Sequence, residues 1–415
     1  MKIAIVGGGA AGMATAYLLN KHHEVSVFEQ QPILGGNIRT LNKNVTGTAL
    51  DTELVLDCGV IEFQRDNFPC FHRLMSALNV PMEEGRTSSE LFLANGQYFK
   101  SGAGILHNCK NSRERLKELW KVLPVMGGYI KFLLKTRKIT AEELYDKPMS
   151  VYLNQDIHSR WLKMLLMYAY SMPYNSINNF PAEIGIPVLR QSDIFTQWDR
   201  IIGGVYSYIE KILEQFSGQL YCSARINNIR RQSANAAAVA INMQGGETLY
   251  FDKVIFAVTP EQVLRLLADA SEDEQRRFGA WEKNAIETVV HTDVSFYKHF
   301  GVSYYSEFDV FQNNASDNCG YNAYLNRLYG IDAQRYQHFS LAYNLGQRID
   351  PNKIVHVQQH QSPFYSVAAV RYRHEIIATN GANHTYHAGA YLGNGLHEGA
   401  IASAYAVAAL LDNRP

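Results

Sequence analysis

Glycines 7, 9 and 12 stand in a G-x-G-x-x-G spacing, GGGAAG, directly behind the apolar run KIAIV. The three glycines of such a turn serve different needs, namely the tight bend, room for a pyrophosphate, and close helix–strand packing. The helix that begins at Ala10 and Ala11 presents unpaired N–H groups and a positive dipole end to phosphate. Glu29, followed by Gln30, closes a second apolar strand 17 residues beyond Gly12, where a carboxylate can accept from ribose hydroxyls. This chemistry is dinucleotide binding, and the motif alone does not separate NAD from FAD.

Other polar residues have chemically suggestive spacing. His291 and Asp293 lie two apart on an expected strand and so share one face, either as a polar pair near a substrate or as an internal hydrogen bond. The pairs His356/His360 and His384/His387 lack carboxylate or cysteine partners at fixed offsets, so no metal is assigned. No Ser–His–Asp or Cys–His arrangement stands out.

The elements that must position these residues begin with a βαβ unit, KIAIV, a helix ending near His22–His23, and EVSVFEQ. That is the opening of a doubly wound, Rossmann-like α/β sheet. From about residue 86 the pattern turns helical. The segment 110–138 is basic and apolar, with Pro124 and Gly127–Gly128 expected to break it in two. It carries nine Lys/Arg against Glu114 and Glu118, a composition that suits either an anionic bilayer or a solvated helix pair. The run WLKMLLMYAYSMPY (161–174) reads as core or as an apolar tunnel wall.

Strands follow at GQLYCSARINNIRRQ, AAAVAINMQ and YFDKVIFAVTP, and a second sheet is expected from 286–297 and 354–369. The resulting organisation is a dinucleotide domain assembled from 1–85, 200–275 and 375–415, interleaved with an α+β substrate domain from 86–199 and 276–374.

Further glycine turns narrow the reading. LGGNIRT places Gly35, Gly36, Asn37 and Arg39 after Glu29, LDCGVIEF adds Gly59 and Val60, and Gly203–Gly204–Val205 precedes another helix. Ile226 lies in a strand of the adenine-contact type, and DKVIFAVTP follows it. The stretch GAYLGNGLHEGAIASAYAVAALL contributes Gly389, Ala390, His397, Glu398, Gly399 and Ala400. In this order the segments resemble the flavoprotein superfamily of amine oxidases and phytoene desaturases over the whole chain. A narrower resemblance, through DCGVIEFQRDNFPCF, VVHTD, YLNRLYGI, IDPNKI and the alanine-rich stretch, is to NAD/FAD-binding proteins associated with cyclopropane fatty-acid synthases.

The resemblance implies FAD, held by Gly7, Gly9, Ala10, Ala11, Gly12, Glu29, Gln30, Gly35, Gly36, Asn37, Arg39, Gly59, Val60, Ile226 and the 389–400 turn. It implies hydride removal from an apolar, lipid-like substrate, with amine oxidation, double-bond isomerisation and non-catalytic flavin binding beside a lipid-modifying enzyme as alternatives. Flavin reduction gathers charge at N1–C2=O, and the helix N-terminus at His397 and Glu398 can stabilise it. His397 would lie beside the ring, and Glu398 would contact it or cap the helix. His291 would stand where amine oxidases carry a flavin-linked lysine. The chain departs from the superfamily where Asn37 replaces an arginine, Tyr391 an acid and Leu396 an aromatic ring.

Lys+Arg and Asp+Glu both number 39, so no global field invites nucleic acid. Five cysteines without CxxC spacing point to a reducing, cytoplasmic compartment. No apolar run reaches the ~20 residues of a spanning helix. Segment 110–138 is the expected place of any peripheral membrane contact.

Overall fold

The computed structural model describes residues 1–85, 87–154, 156–191, 196–231, 238–312 and 319–412. The βαβ opening is β1 (Lys2–Val6), α1 (Ala10–Leu19) and β2 (Glu24–Phe28), followed by α2 (Pro69–Ala77), β3 (Ser89–Phe92) and β4 (Tyr98–Phe99). Helices α3 (Ser112–Thr136), α4 (Ile157–Tyr170) and α5 (Ser207–Gln215) lead to β5 (Gln219–Tyr221) and β6 (Lys253–Phe256). Then come β7 (Glu282–His291), β8 (Phe308–Gln312), β9 (Cys319–Tyr324), β10 (Ser340–Tyr343), β11 (Ile354–Phe364), β12 (Thr385–His387) and α6 (His397–Asp412).

A five-stranded parallel sheet, ordered β5-β2-β1-β6-β12, carries the glycine turn at the C-terminal end of β1. Both faces are covered, so its strands are apolar on both sides. Ile3, Ile5, Val25 and Val27 pack toward α1 and α6, while Ala4, Val6, Phe28 and Phe256 enter a different core cluster. Helix α6 is rich in alanine because it packs between α1 and α2, where small side chains let helix axes approach.

A seven-stranded sheet, ordered β11-β7-β10-β9-β8-β3-β4, is antiparallel except at β8–β3. Its long pair β7–β11 runs from Glu282↔Phe364 to His291↔Ile354 and sets Ile286 opposite His360. The expected strand 286–297 is displaced: it starts at Glu282 and ends at His291, because Asp293 Oδ1 accepts from the Ser295 N–H (2.8 Å) and opens a 3-10 turn. Likewise 354–369 ends at Phe364, since Ser366 caps a short helix by accepting from Ala369 N (3.2 Å). Gln232, Ala236 and Ala237 of the expected strands lie outside the described residues.

Segment 110–138 is also corrected, for α3 is one helix of 25 residues. Pro124 is exposed, so the carbonyl it leaves without an N–H partner faces water. Gly128 is a packing glycine, since a Cβ there would lie 2.2 Å from His158 of α4. Among the described residues no helix is long and apolar enough to cross a membrane.

Candidate functional site

Strand β1 delivers Gly7 at φ +109°, and a Cβ there would meet the Ala257 carbonyl oxygen at 2.6 Å. At Gly12 a Cβ would fall 1.9 Å from the Gly7 oxygen, so this glycine sets the helix–strand approach rather than touching a ligand. Gly9 precedes α1 with no side-chain cap, which leaves the first-turn N–H groups of Ala10, Ala11 and Gly12 for an anion. The second glycine turn lies directly on the first. Gly35 N donates to the Gly8 oxygen (2.8 Å), and a Cβ on Gly36 would stand 2.9 Å from the Gly9 Cα.

Glu29 is buried, yet reaches the same space. Its carboxylate accepts from Gly8 N and Gln31 N, both at 2.8 Å, and its remaining lone pairs are available to hydroxyl donors. Asn37 is a clasp: its amide donates to the Gln361 oxygen (2.7 Å) and accepts from Gln361 N (3.1 Å). That bond pair fastens the second glycine turn to β11. Arg39 stands at the wall with Nη1 held by the Leu34 and Ile38 carbonyls (3.1 and 3.0 Å). Asp57, within the Asp-x-Gly turn, accepts from Thr40, from Val205 N (3.0 Å) and from the Tyr329 hydroxyl (2.6 Å). It thereby ties the second glycine turn to the Gly203–Gly204 turn, and burial pushes its carboxyl up to about 6.

One cavity of about 1220 Å³ runs from the two glycine turns and Glu29 to residues of β7, β11 and α6. Of the expected cofactor residues, Gly7, Gly9, Ala10, Ala11, Glu29, Gln30, Gly35, Gly36, Asn37, Arg39, Val60, Ile226, Gly389, Ala390, His397 and Ala400 line it. Gly12, Gly59, Glu398 and Gly399 do not. Gly59 gives room to Asn37 O and His360, and Gly399 to the Ala390 oxygen.

Of the two roles expected for Glu398, the bonds it makes are those of a cap, on α2 rather than on its own helix. Its two oxygens accept from Cys70 N (3.0 Å) and Phe71 N (2.9 Å), so it caps the first turn of α2 from the first turn of α6. The N-terminus of α6 is less bare than its sequence implies. Asn394 Oδ1 accepts from Leu396 N and Gly399 N, both at 3.0 Å, and the N–H groups of His397 and Glu398 are left over.

His291 makes the internal hydrogen bonds of one of its two expected readings. It is fully buried away from the cavity wall, with Nε2 2.9 Å from Asn322 Oδ1 and Nδ1 accepting from Asp293 N (3.1 Å). Asp293 accepts from Ser295 N and Asp350 N and is held down to about 2, despite burial, by these backbone bonds and by Lys353. The pair is a structural hydrogen-bond network that terminates β7.

The cavity wall also holds two imidazoles, His360 and His397, that burial keeps neutral, each pushed down to about 4. His397 Nε2 is 2.8 Å from the Tyr208 hydroxyl. A buried phenol with this single acceptor donates to Nε2, which leaves the proton on Nδ1. His360 is the opposite case. Its Nε2 lies 2.8 Å from the Cys58 carbonyl, which can only accept, so Nε2 carries the proton and Nδ1 is the acceptor. Thr288 donates to the same carbonyl at 2.6 Å. The site therefore offers one N–H donor and one N acceptor without net charge.

By sequence His360 is only half of a metal-like spacing, and nothing in its neighbours along the chain signals Cys58 or Thr288. Tyr391, Leu396, Lys283 and Pro363 also line the cavity, and the buried Tyr391 hydroxyl has no protein partner. Among the described residues no three His, Cys, Asp or Glu side chains are grouped to hold a metal ion.

Residues 5–78 match a family model described as an NAD(P)-binding Rossmann-like domain. A stretch of 41 residues is 51% identical to an uncharacterized protein of Methanocaldococcus jannaschii, and the chain covers only 10% of that protein. Among solved structures, a putrescine oxidase variant superposes with a TM-score of 0.69 at 12% identity, over 100% of this chain and 99% of the other. The chain has the amine-oxidase fold. Cyclohexylamine oxidase from Brevibacterium oxydans superposes with a TM-score of 0.69 at 11% identity, over 99% of both chains. A CLA-producing fatty acid isomerase from P. acnes gives 0.67 at 16%, over 99% and 98%.

Proposed function

We propose that the protein is an FAD-dependent oxidoreductase acting on an apolar, fatty-acyl or other lipid substrate. The observation that carries this is the reach of the cavity. One space runs from Glu29 and the N-terminus of α1 to His360 and His397, and its 1220 Å³ exceeds the roughly 300–1,000 Å³ of ordinary small-ligand pockets. A two-part cofactor with a substrate at its end fits such a space better than one small molecule does.

The residues present fit FAD. Glu29 would accept from the adenosine ribose, with Ile226 along the base, and the free α1 N–H groups would bind the diphosphate. The superposed turn of Gly35 and Gly36 extends the cradle past the first glycines, beside Arg39, toward the ring end. When bound, FAD supplies an acceptor for hydride from a substrate C–H bond. The chain supplies water exclusion, the remaining N–H groups of α6 as donors to developing negative charge, His397 as a neutral donor and His360 as a neutral acceptor. The apolar surfaces of Val60, Leu396, Pro363 and the Tyr391 ring support a hydrocarbon substrate. So does the narrower resemblance to flavoproteins associated with cyclopropane fatty-acid synthases. Isomerisation of a double bond without net redox change uses the same parts.

A flavin amine oxidase is the second reading. Lys283 favours it, because this cation stands at the cavity wall on β7, the strand where the superfamily resemblance implies a flavin-linked lysine. Five cysteines without CxxC spacing support a reducing, cytoplasmic setting. The division into a cofactor domain (1–85, 200–275, 375–415) and a substrate domain (86–199, 276–374) belongs to the same reading.

The test is to purify the protein, record its flavin spectrum, and follow anaerobic bleaching with phospholipid, free fatty acid and amine. Bleaching by an acyl substrate is expected. Bleaching by amine alone would replace the lipid reading with the second one. Tight flavin that no substrate bleaches or converts would mark a binding protein beside a lipid-modifying enzyme.

A further inference from the structure

Helix α3 buries one face and leaves the opposite one uncovered. Glu118, Gly128, Phe132 and Thr136 point inward. On the outside, Leu116, Leu119, Trp120, Leu123, Ile130 and Leu134 are 57, 51, 66, 51, 55 and 57% exposed. Their spacing of three, four and seven residues puts them in one stripe, roughly 27 Å long at 1.5 Å per residue. Leu106, 60% exposed, adjoins it, because Arg115 donates to the Leu106 carbonyl (3.1 Å). Soluble monomers rarely leave so long an apolar run bare, and its six leucines and isoleucines cost solubility unless something covers them.

Charge selects the occupant. Arg113, Lys117, Lys131 and Lys135 are exposed and recur at four and eighteen residues, so they form a second stripe beside the apolar one. The helix's two carboxylates do not neutralise it. Glu118 is turned inward between Lys100 (3.8 Å) and Lys121 (2.7 Å), and Glu114 receives the Lys110 N–H at the helix start (2.9 Å). A second copy of the chain laid on this face would set cation against cation. A bilayer of anionic phospholipid instead takes the leucines among its acyl chains and the cations at its headgroups.

We propose that the outer face of α3 docks the protein on an anionic phospholipid bilayer, lying in the interface rather than crossing it. This contact does not depend on which molecule the cavity oxidises, and vesicle binding is measured apart from turnover.

The experiment is co-sedimentation of the full-length protein with phosphatidylglycerol vesicles and with phosphatidylcholine vesicles, at low and high salt. Binding to the anionic vesicles, weakened by salt and weak on the neutral ones, is expected. Lys131→Gln with Lys135→Gln should lower the partition coefficient at least about ten-fold, at roughly 1 kcal/mol per cation. Leu119→Glu with Leu123→Glu should abolish binding while the flavin spectrum and thermal transition persist. Vesicles with brominated acyl chains should quench tryptophan emission in the wild type and far less in Trp120→Phe. No binding at low salt, or binding indifferent to the Leu119 and Leu123 changes, overturns the proposal. So does a dimer in light scattering that those changes dissociate, since it would make a second copy the occupant.

Discussion

At the Glu29 end of the cavity the wall is mostly backbone, whereas at the His360 end it is mostly side chain. The first end is two crossed glycine turns, one uncapped helix start and a carboxylate pinned by Gly8 N and Gln31 N. The second is assembled from β7, β11, α6 and the 389–396 turn, and its polar atoms are set by partners such as Tyr208, Cys58 and Thr288. Backbone donors serve any dinucleotide and tolerate almost no added atoms. Side-chain donors can be exchanged, and under the proposed function that end would choose substrate and reaction type.

The strongest way to break this contrast is Gly12→Val. Its Cβ would sit 1.9 Å from the Gly7 oxygen, where neither backbone can yield. We expect protein that is insoluble or retains no flavin on gel filtration. Glu29→Ala comes next. Removing a charged acceptor costs about 1.5–3 kcal/mol, so flavin affinity should fall about ten- to a hundred-fold by fluorescence titration. If the two ends are as separate as their construction implies, His360→Gln should leave that affinity within a few-fold while slowing substrate bleaching about ten-fold or more.

Acid should expose the imidazoles next. His360 and His397 have folded-state pKa values near 4, below their ordinary 6.5, so between these limits the unfolded chain binds more protons. Their contribution is complete above about pH 6.5 and is lost as pH falls toward 4. Urea midpoints measured across that window should drop on acidification, and the slope should flatten in the His360→Gln, His397→Gln double variant. The smallest effect is expected for Glu398→Gln, about 1 kcal/mol of stability as a lost α2 cap, with an unchanged flavin spectrum. A large spectral shift instead would return Glu398 to the cofactor.

The same contrast explains what the sequence could reveal. The turn at Gly7–Gly12 and the carboxylate at Glu29 lie within one βαβ unit, where spacing along the chain is nearly spacing in three dimensions. His360 acquires its role from Cys58 and Thr288, 302 and 72 residues away, and no local pattern reports such a meeting. His291 keeps two readings by sequence for the same reason, since its alternation on a strand fixes a face but not what covers that face. In α3, the proline and glycines follow a breaker rule that exposure at Pro124 and close packing at Gly128 set aside.

The closing turn of the cavity has a consequence in time. Gly7 to Glu29 are translated before the opposite wall of the cavity exists. Residues 389–400, which furnish the opposite wall and the Glu398 clamp on α2, are made several hundred residues later. Until then the nascent chain has half a cradle and an uncapped α2. Docking of residues 389–400 thus closes the cradle and caps α2, and a variant that weakens this docking should be cut there first in limited proteolysis.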